Sequence, residues 1–263
     1  MTFKYKEEAL MTASERLSDI RQRVEKQGTV LVKTLAIDYR VTEDLIRKDL
    51  KKLEKLDVVD RIYGGAERKK NKFQASTFGY RLESHVEEKE KIATKAVKLI
   101  RPGNYIFLDT SSTSYYIAKY IALAEIEVTV ITDMLAIVVL LSDYKSIKLI
   151  SIGGEYDAYT GGFFGPVASS QIHKYKTDLA FISCKSISVK EGYLLEGFAE
   201  IGNQKKIILD NASKKVLATQ KSKYNDSGVY RFYELKEIDI IITEDSLEMN
   251  VVEQLKELKI NIF

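Results

Sequence analysis

Apolar residues at the front of the chain recur at helical spacing. Leu17, Ile20 and Val24 share one face. They follow Thr12-Ala13-Ser14-Glu15, a capping-box pattern in which hydroxyl and carboxylate satisfy free amides reciprocally, and Gly28 marks the stop. A short helix is predicted over about 32–39, with Leu35 and Ala36 inward. A turn through Arg40 and Val41 leads to Thr42, a good N-cap. Ile46, Leu50 and Leu53 then form one stripe on a helix predicted over 43–55, with Asp44, Leu45, Arg47, Lys48, Lys51 and Lys52 off it. Helix, tight turn and a second helix with a basic outer face is the helix-turn-helix arrangement. Residues 58–67, VVDRIYGGAE, read as a strand entering a Gly-Gly turn, the start of a wing.

Residues 67–80 are polar and lack a period, which predicts a linker or arm. From Glu87 the pattern changes. A helix over 87–100 stops at Pro102-Gly103, and apolar strands then alternate with helices. Strands are predicted at 105–109, 128–132, 147–154, 179–183, 216–219, 239–243 and 259–263, with helices at 113–122, 135–141 and 246–258. Continuous apolar strands between helices indicate a mostly parallel sheet covered on both faces. The expected organisation is a small head over 1–66, a linker or arm over 67–86 and an α/β domain over 87–263.

Charge distribution separates the two parts. Residues 1–75 carry 18 Lys+Arg against 13 Asp+Glu, while the rest carries 23 against 25. A basic excess confined to the head is what a nucleic-acid-binding module shows; on charge alone, chance in a lysine-rich chain is the alternative. No apolar run reaches membrane-spanning length, the first residues lack a secretory core, and Cys184 is the single cysteine. The expectation is a cytoplasmic protein without disulfides or membrane partners.

In open α/β sheets ligands bind where strands end and helices begin. Four such places carry suitable residues: Asp109-Thr110-Ser111-Ser112-Thr113, Thr132-Asp133, Gly153-Gly154, and Lys221-Ser222-Lys223. Hydroxyls, free amides and ammonium groups suit an anion. For any one loop, simple capping is the commoner reason for such residues, but four on one sheet edge favour a small anionic ligand. Catalytic signals are weak: there is no P-loop, GxSxG or GxGxxG, and two histidines with one cysteine build no conventional zinc site. No catalytic residue, metal or cofactor is expected. His85 and His173 read as surface residues, Cys184 as a small buried one, and Tyr115, Tyr116 and Tyr120 as packing.

These pieces together resemble the DeoR family of bacterial repressors. The family pattern V-S-x-x-T-I-R-R-D-L followed by R-x-x-G-G-A is matched by VTEDLIRKDL (41–50) and RIYGGA (61–66). EEKEKIA (87–93), FLDTSST (107–113), VITD (130–133), SIGGE (151–155), DLAFIS (178–183) and SKY (222–224) follow in the family's order. The resemblance implies a winged helix-turn-helix joined to a ribose-5-phosphate-isomerase-like sensor domain that binds a phosphorylated sugar or related metabolite. It also implies a double-stranded DNA operator, control of sugar uptake or catabolism genes, and a homo-oligomer. Carried across residue by residue, effector contacts fall on Asp109, Ser111, Ser112, Thr113, Thr132, Asp133, Gly153, Gly154 and Lys223. Four departures stand out: Ser111 replaces a loop glycine, Asp133 an asparagine and Gln220 an acidic residue, while the Glu-Ala expected near 200 reads Glu200-Ile201.

On this reading the helix over 43–55 lies in the major groove. Asp44, Leu45, Arg47 and Lys48 face base edges, Lys33 and Thr42 touch phosphate, and Arg61 and Tyr63 reach out from the wing. Arg47 has a competing role, an ion pair with Asp44 or Asp49, and Leu45 another, packing on the first helix. Two rival functions remain open at this point. One is a sugar-phosphate isomerase-like enzyme using Glu155, Asp157 or Glu196; the other is a regulator whose C-terminal domain only oligomerises.

Overall fold

The computed structural model describes residues 12–55, 58–68, 78–224 and 227–263, and the chain divides into two compact units, Met1–Ala75 and Ser76–Phe263. In the first unit, α1 (Ala13–Gln27) is followed by β1 (Thr29–Leu31), α2 (Val32–Asp38), α3 (Glu43–Lys55), β2 (Val59–Ile62) and β3 (Gly65–Arg68). The Thr12–Glu15 capping box forms as the sequence predicts, with both reciprocal bonds in place. Helix α3 occupies the predicted span. Thr42 caps it through its hydroxyl, which accepts from the Leu45 amide at 3.3 Å.

What holds α3 is its buried face. Ile46, Leu50 and Leu53 sit in a core with Ile20, Val24, Leu35 and Val59. Each such side chain contributes about 1.5–3 kcal/mol, against roughly 0.3–0.5 kcal/mol for a surface pair between helical neighbours. The same face carries one buried ion pair. Arg16 Nε of α1 donates to Asp49 Oδ2 of α3 at 2.6 Å, with both side chains almost fully enclosed. Asp49 therefore faces inward and is not the partner of Arg47.

The wing is a three-stranded antiparallel sheet in the order β1-β3-β2. Strand β1 has no counterpart in the sequence-based prediction, because three residues are too few to show a period. Gly65 is required where β3 crosses β1, since a Cβ there would lie 2.1 Å from the Val30 carbonyl oxygen.

The second unit runs through α4 (Phe78–Glu83), α5 (Val86–Val97), β4 (Tyr105–Leu108), α6 (Ser112–Leu123), β5 (Val128–Thr132), α7 (Leu135–Leu141) and β6 (Ile147–Ser151). It continues with β7 (Glu155–Asp157), β8 (Gly162–Phe164), α8 (Gly165–Ile172), β9 (Thr177–Ile182), β10 (Ser186–Ser188), β11 (Tyr193–Glu196) and α9 (Ala199–Asp210). It ends with β12 (Ala212–Ala218), β13 (Tyr230–Glu234), β14 (Ile240–Ile242), α10 (Met249–Glu257) and β15 (Asn261–Ile262). Seven strands form a wholly parallel sheet in the order β15-β14-β12-β9-β4-β5-β6. Two apolar clusters cover its faces. The small sheets β10-β11-β13 and β7-β8 are not foreseen by the sequence pattern.

Part of the stretch expected as an arm over 67–86 is ordered structure: α4 packs on the α/β unit, with its Leu82 carbonyl accepting from Tyr116 Oη at 3.1 Å. Residues 69–77, the rest of the linker expectation, lie outside the described residues. Among the described residues no helix is long and apolar enough to cross a membrane.

Replacing Asp49 with Ala leaves the Arg16 charge unpaired inside the head. A loss of about 3–5 kcal/mol from the head's stability is expected, read as faster amide exchange in α1 and α3 with exchange in the α/β unit unchanged.

Candidate DNA-binding surface and effector site

The exposed face of α3 begins at its first turn. Thr42, Asp44, Arg47 and Lys48 are exposed and Leu45 is half-buried. Lys33, in the first turn of α2, is exposed as well. Tyr63 stands wholly in solvent at the tip of the wing, and Arg61 on β2 is exposed, 3.9 Å from Glu54. The structure thus leaves every residue proposed to meet DNA at the surface, Leu45 only in part. Arg47 is held within its own helix: one amino group donates to Asp44 Oδ1 at 2.8 Å, the other to Glu43 Oε2 at 2.6 Å. Of the two partners anticipated for it, Asp44 is real and Asp49 is not.

In the α/β unit the sheet order places a topological switch point between β4 and β9. From β4 the chain builds outward through β5 and β6, then returns to build the other side from β9. Asp109, just past β4, and Ser183, just past β9, meet there, and the Ser183 amide donates to Asp109 Oδ2 at 3.1 Å. Asp109 is fully buried. Its other oxygen accepts from the hydroxyls of Ser111 and Ser114, both at 2.6 Å. Ser111 is also the N-cap of α6, accepting from the Ser114 amide. It has φ −136°, an extended backbone that any residue adopts, so the glycine it replaces is not required for conformation. Ser112 and Thr113 follow in the buried first turn of α6.

Lys205 of α9 completes this centre. Its ammonium lies 3.3 Å from Asp109 and donates at 2.6 Å to both Glu196 and the Ser183 carbonyl. Burial would strip its proton, but Glu196 and Asp109 override that and hold the lysine charged. Glu196, one of the carboxylates open to an acid–base role, is thereby committed to a buried ion pair.

Around this core of one lysine and two carboxylates sit three further cations. Lys223, in a single 3-10 turn, donates to Ser183 Oγ at 3.0 Å and the Cys184 carbonyl at 2.9 Å. Lys89 of α5 donates to the carbonyls of Arg81 and Ser84 at the end of α4. Arg81 donates to the Thr160 carbonyl at 2.9 Å, and its buried Nε has no partner. Burial pushes Lys89 down to about 8, helped by Lys223 and Arg81, and burial lowers Lys223 and Arg81 too. The charge on Lys89 is disfavoured by Lys223 and Arg81, and that on Lys223 by Arg81, a standing cost that a bound anion would relieve.

Asp133, past β5, forms the neighbouring wall. It accepts from Thr110 Oγ1 at 2.7 Å and from the Gln204 amide at 2.7 Å, and burial pushes its carboxyl up to about 7 against those bonds. Gly162 of β8 lies so close that a Cβ would meet Thr110 Oγ1 at 2.3 Å. Thr132 spends its hydroxyl locally, donating to the Leu108 carbonyl and accepting from the Met134 amide. Gly153 and Gly154 lie against α8: the Gly153 amide donates to Gln171, and a Cβ on Gly154 would meet the Phe164 carbonyl and Ala168. The Cys184 thiol is buried and pushed up to about 12 by that burial.

Lys205, Lys89 and Arg81 escape the sequence-based reading, yet two leave a signal. Lys89 lies in register with Ile92, Ala93 and Ala96, and Lys205 with Gly202, Ile208 and Leu209. A lysine on the apolar stripe of a helix must either snorkel or meet a buried partner. Among the described residues no group of His, Cys, Asp and Glu is arranged to hold a metal ion.

Comparison with known proteins agrees with this geometry. A model of the DeoR-like helix-turn-helix domain matches residues 16–72, and one of the DeoR C terminal sensor domain matches residues 84–245. Relatives include the HTH-type transcriptional regulator YulB of Bacillus subtilis, 31% identical over 96% of both chains. The lactose phosphotransferase system repressor of Streptococcus mutans is 31% identical over 89% of this chain and 93% of that one. The L-fucose operon activator of Escherichia coli is 32% identical over 82% and 89%. Among solved structures, ribose 5-phosphate isomerase A of Methanocaldococcus jannaschii is 25% identical, covering 52% of this chain and 53% of that one with a TM-score of 0.38. With a helix-turn-helix head and a sensor domain both matched, the chain belongs to the DeoR family and is a DNA-binding transcriptional regulator rather than an enzyme.

Proposed function

We propose that the protein is a cytoplasmic, homo-oligomeric repressor of genes for sugar uptake or catabolism, and that a phosphorylated sugar bound in the α/β unit sets its grip on operator DNA. The observation that carries the effector half is the balance of charge gathered at this site. Arg81, Lys89, Lys205 and Lys223 face two committed carboxylates, Asp109 and Glu196. The excess of two positive charges, brought towards one as Asp133 ionises, suits a phosphate monoester, which carries about −1.5 to −2 near neutral pH. Lys89 and Lys223 each use two of three ammonium donors on backbone or hydroxyl oxygens, and Arg81 keeps a buried N–H unspent. Relatives named for a lactose phosphotransferase system, an L-fucose operon and an aga operon support sugar control.

On the DNA side, α3 enters the major groove with Asp44, Leu45, Arg47 and Lys48 toward base edges. Lys33 and Thr42 take phosphate, and the wing residues Arg61 and Tyr63 lie along the backbone or minor groove. The effector acts by differential affinity: it must prefer one arrangement of two linked heads to shift operator binding at all.

Thermal-shift screening tests the effector reading. A sugar phosphate should raise the melting temperature with concentration while its parent sugar does not, and Lys223→Ala should abolish the rise. A rise with no phosphorylated sugar would favour an α/β unit that serves oligomerisation alone. The affinity should fall as pH climbs through about 8, because Lys89 then sheds its proton while the phosphate stays dianionic; Lys89→Met should flatten that dependence. For the head, Arg47→Ala should cost about 1–3 kcal/mol of operator binding at one base position, whereas Lys33→Ala should weaken all sequences alike and reduce the salt slope by about one, both read by fluorescence anisotropy across a salt series.

A further inference from the structure

We infer that Asp44 is a base-reading residue that selects a cytosine next to the guanine taken by Arg47; this rests on the operator-binding reading above. Asp44 lies in the first turn of α3, the part of a recognition helix that meets base edges. Its side chain is 83% exposed, against 51% for Arg47 and 40% for Glu43, so it is the most open to solvent among the three. A carboxylate at such a place has a narrow choice. It accepts hydrogen bonds only, so phosphate oxygens, guanine O6 and N7 and thymine O4 all repel it. The donors within reach in a major groove are the amino groups of cytosine and adenine. A carboxylate fits the single donor of cytosine, whereas adenine's paired donor and acceptor suit an amide.

The geometry of Arg47 supplies the neighbouring half. Asp44 and Glu43 each hold one of its amino groups, so the guanidinium plane is pinned at two points before DNA arrives. A fork fixed in advance loses less freedom when it takes guanine O6 and N7. Asp44 and Arg47 are three residues apart, about 4.5 Å along the helix axis, close to the roughly 3.4 Å step between base pairs, so they are placed to reach adjacent pairs. Asp44 thus supplies a penalty against guanine and thymine as well as an attraction for cytosine, and such penalties are how an interface rejects wrong partners.

The test is selection from a random-sequence duplex library by the full-length protein and two variants. The wild type should enrich a half-site with cytosine beside guanine. Asp44→Ala should make the cytosine position degenerate, with a roughly ten-fold or greater loss of discrimination there and the guanine retained. Asp44→Asn should switch that position from cytosine to adenine, a change that a helix-capping or merely structural carboxylate would not produce. Both variants alter an exposed side chain, and unchanged circular dichroism checks that they fold. A wild-type motif that survives Asp44→Ala unaltered overturns this inference alone. So does joint loss of the guanine, which would make Asp44 a support for Arg47 and not a reader. A wild type that enriches no motif overturns the operator-binding reading and this inference with it.

Discussion

The α/β unit is organised around one buried contact, Lys205 between Asp109 and Glu196. Asp109 lies just past β4, where the parallel sheet reverses its order of growth, and its two oxygens accept from the Ser183 amide past β9 and from Ser111 and Ser114 at the start of α6. Burying a carboxylate is costly unless it is hydrogen-bonded and paired with a cation, and Lys205 is that cation. The ammonium also takes the Ser183 carbonyl, so α9, β9 and β11 are tied to one point. The hydroxyl-rich loop after β4 is thereby committed to shaping the site, and Arg81, Lys89 and Lys223 around it carry the charge a ligand would meet.

This division explains how the site remains cationic without collapsing. A site with a net charge pays in desolvation, visible in the lowered proton affinities of Lys89, Lys223 and Arg81, and in self-repulsion, visible in Lys89 and Lys223. That cost is tolerated because each group borrows backbone carbonyls. Lys89 caps the end of α4, where the helix dipole is negative, and so joins α4 to α5 as well as bearing charge. Asp133 stands where the family commonly has an asparagine. Its raised carboxyl, bonded by Thr110 and Gln204, leaves it much nearer neutrality than an exposed aspartate, which softens the clash with an anion.

The head follows the same logic at smaller scale. Its core is aliphatic, with the Arg16–Asp49 pair as the enclosed exception, and that pair sets α1 against α3. Since a buried pair often contributes little net stability against an apolar replacement, its value here is orientation: Asp49 turned inward leaves Arg47 and Lys48 outward on the same helix. The turn before α3 holds Arg40 at φ 54°, a left-handed backbone that glycine usually supplies.

How much of this was legible in the chain follows from the range of the forces involved. Helix spans such as 43–55 and 135–141, the Thr12 capping box, the 128–132 strand and the surface placement of the recognition residues arise from neighbours within a turn or two, and periodicity reports these. The family motifs located the head and the loops of the sheet edge. Strand β1, the β10-β11-β13 sheet and the α4 helix were not visible, because each is too short to show a period and is stabilised by partners distant in sequence. The same reason hid the site's chemistry: Asp109 and Lys205 are 96 positions apart, and Lys89 and Lys223 more than that. Sequence alone determined which segments become helix or strand and that hydroxyls and lysines end at one sheet edge. Only the tertiary structure decided which of those groups neutralise each other and which stay charged, because Coulomb and desolvation energies depend on distance and burial, and neither is written in residue order.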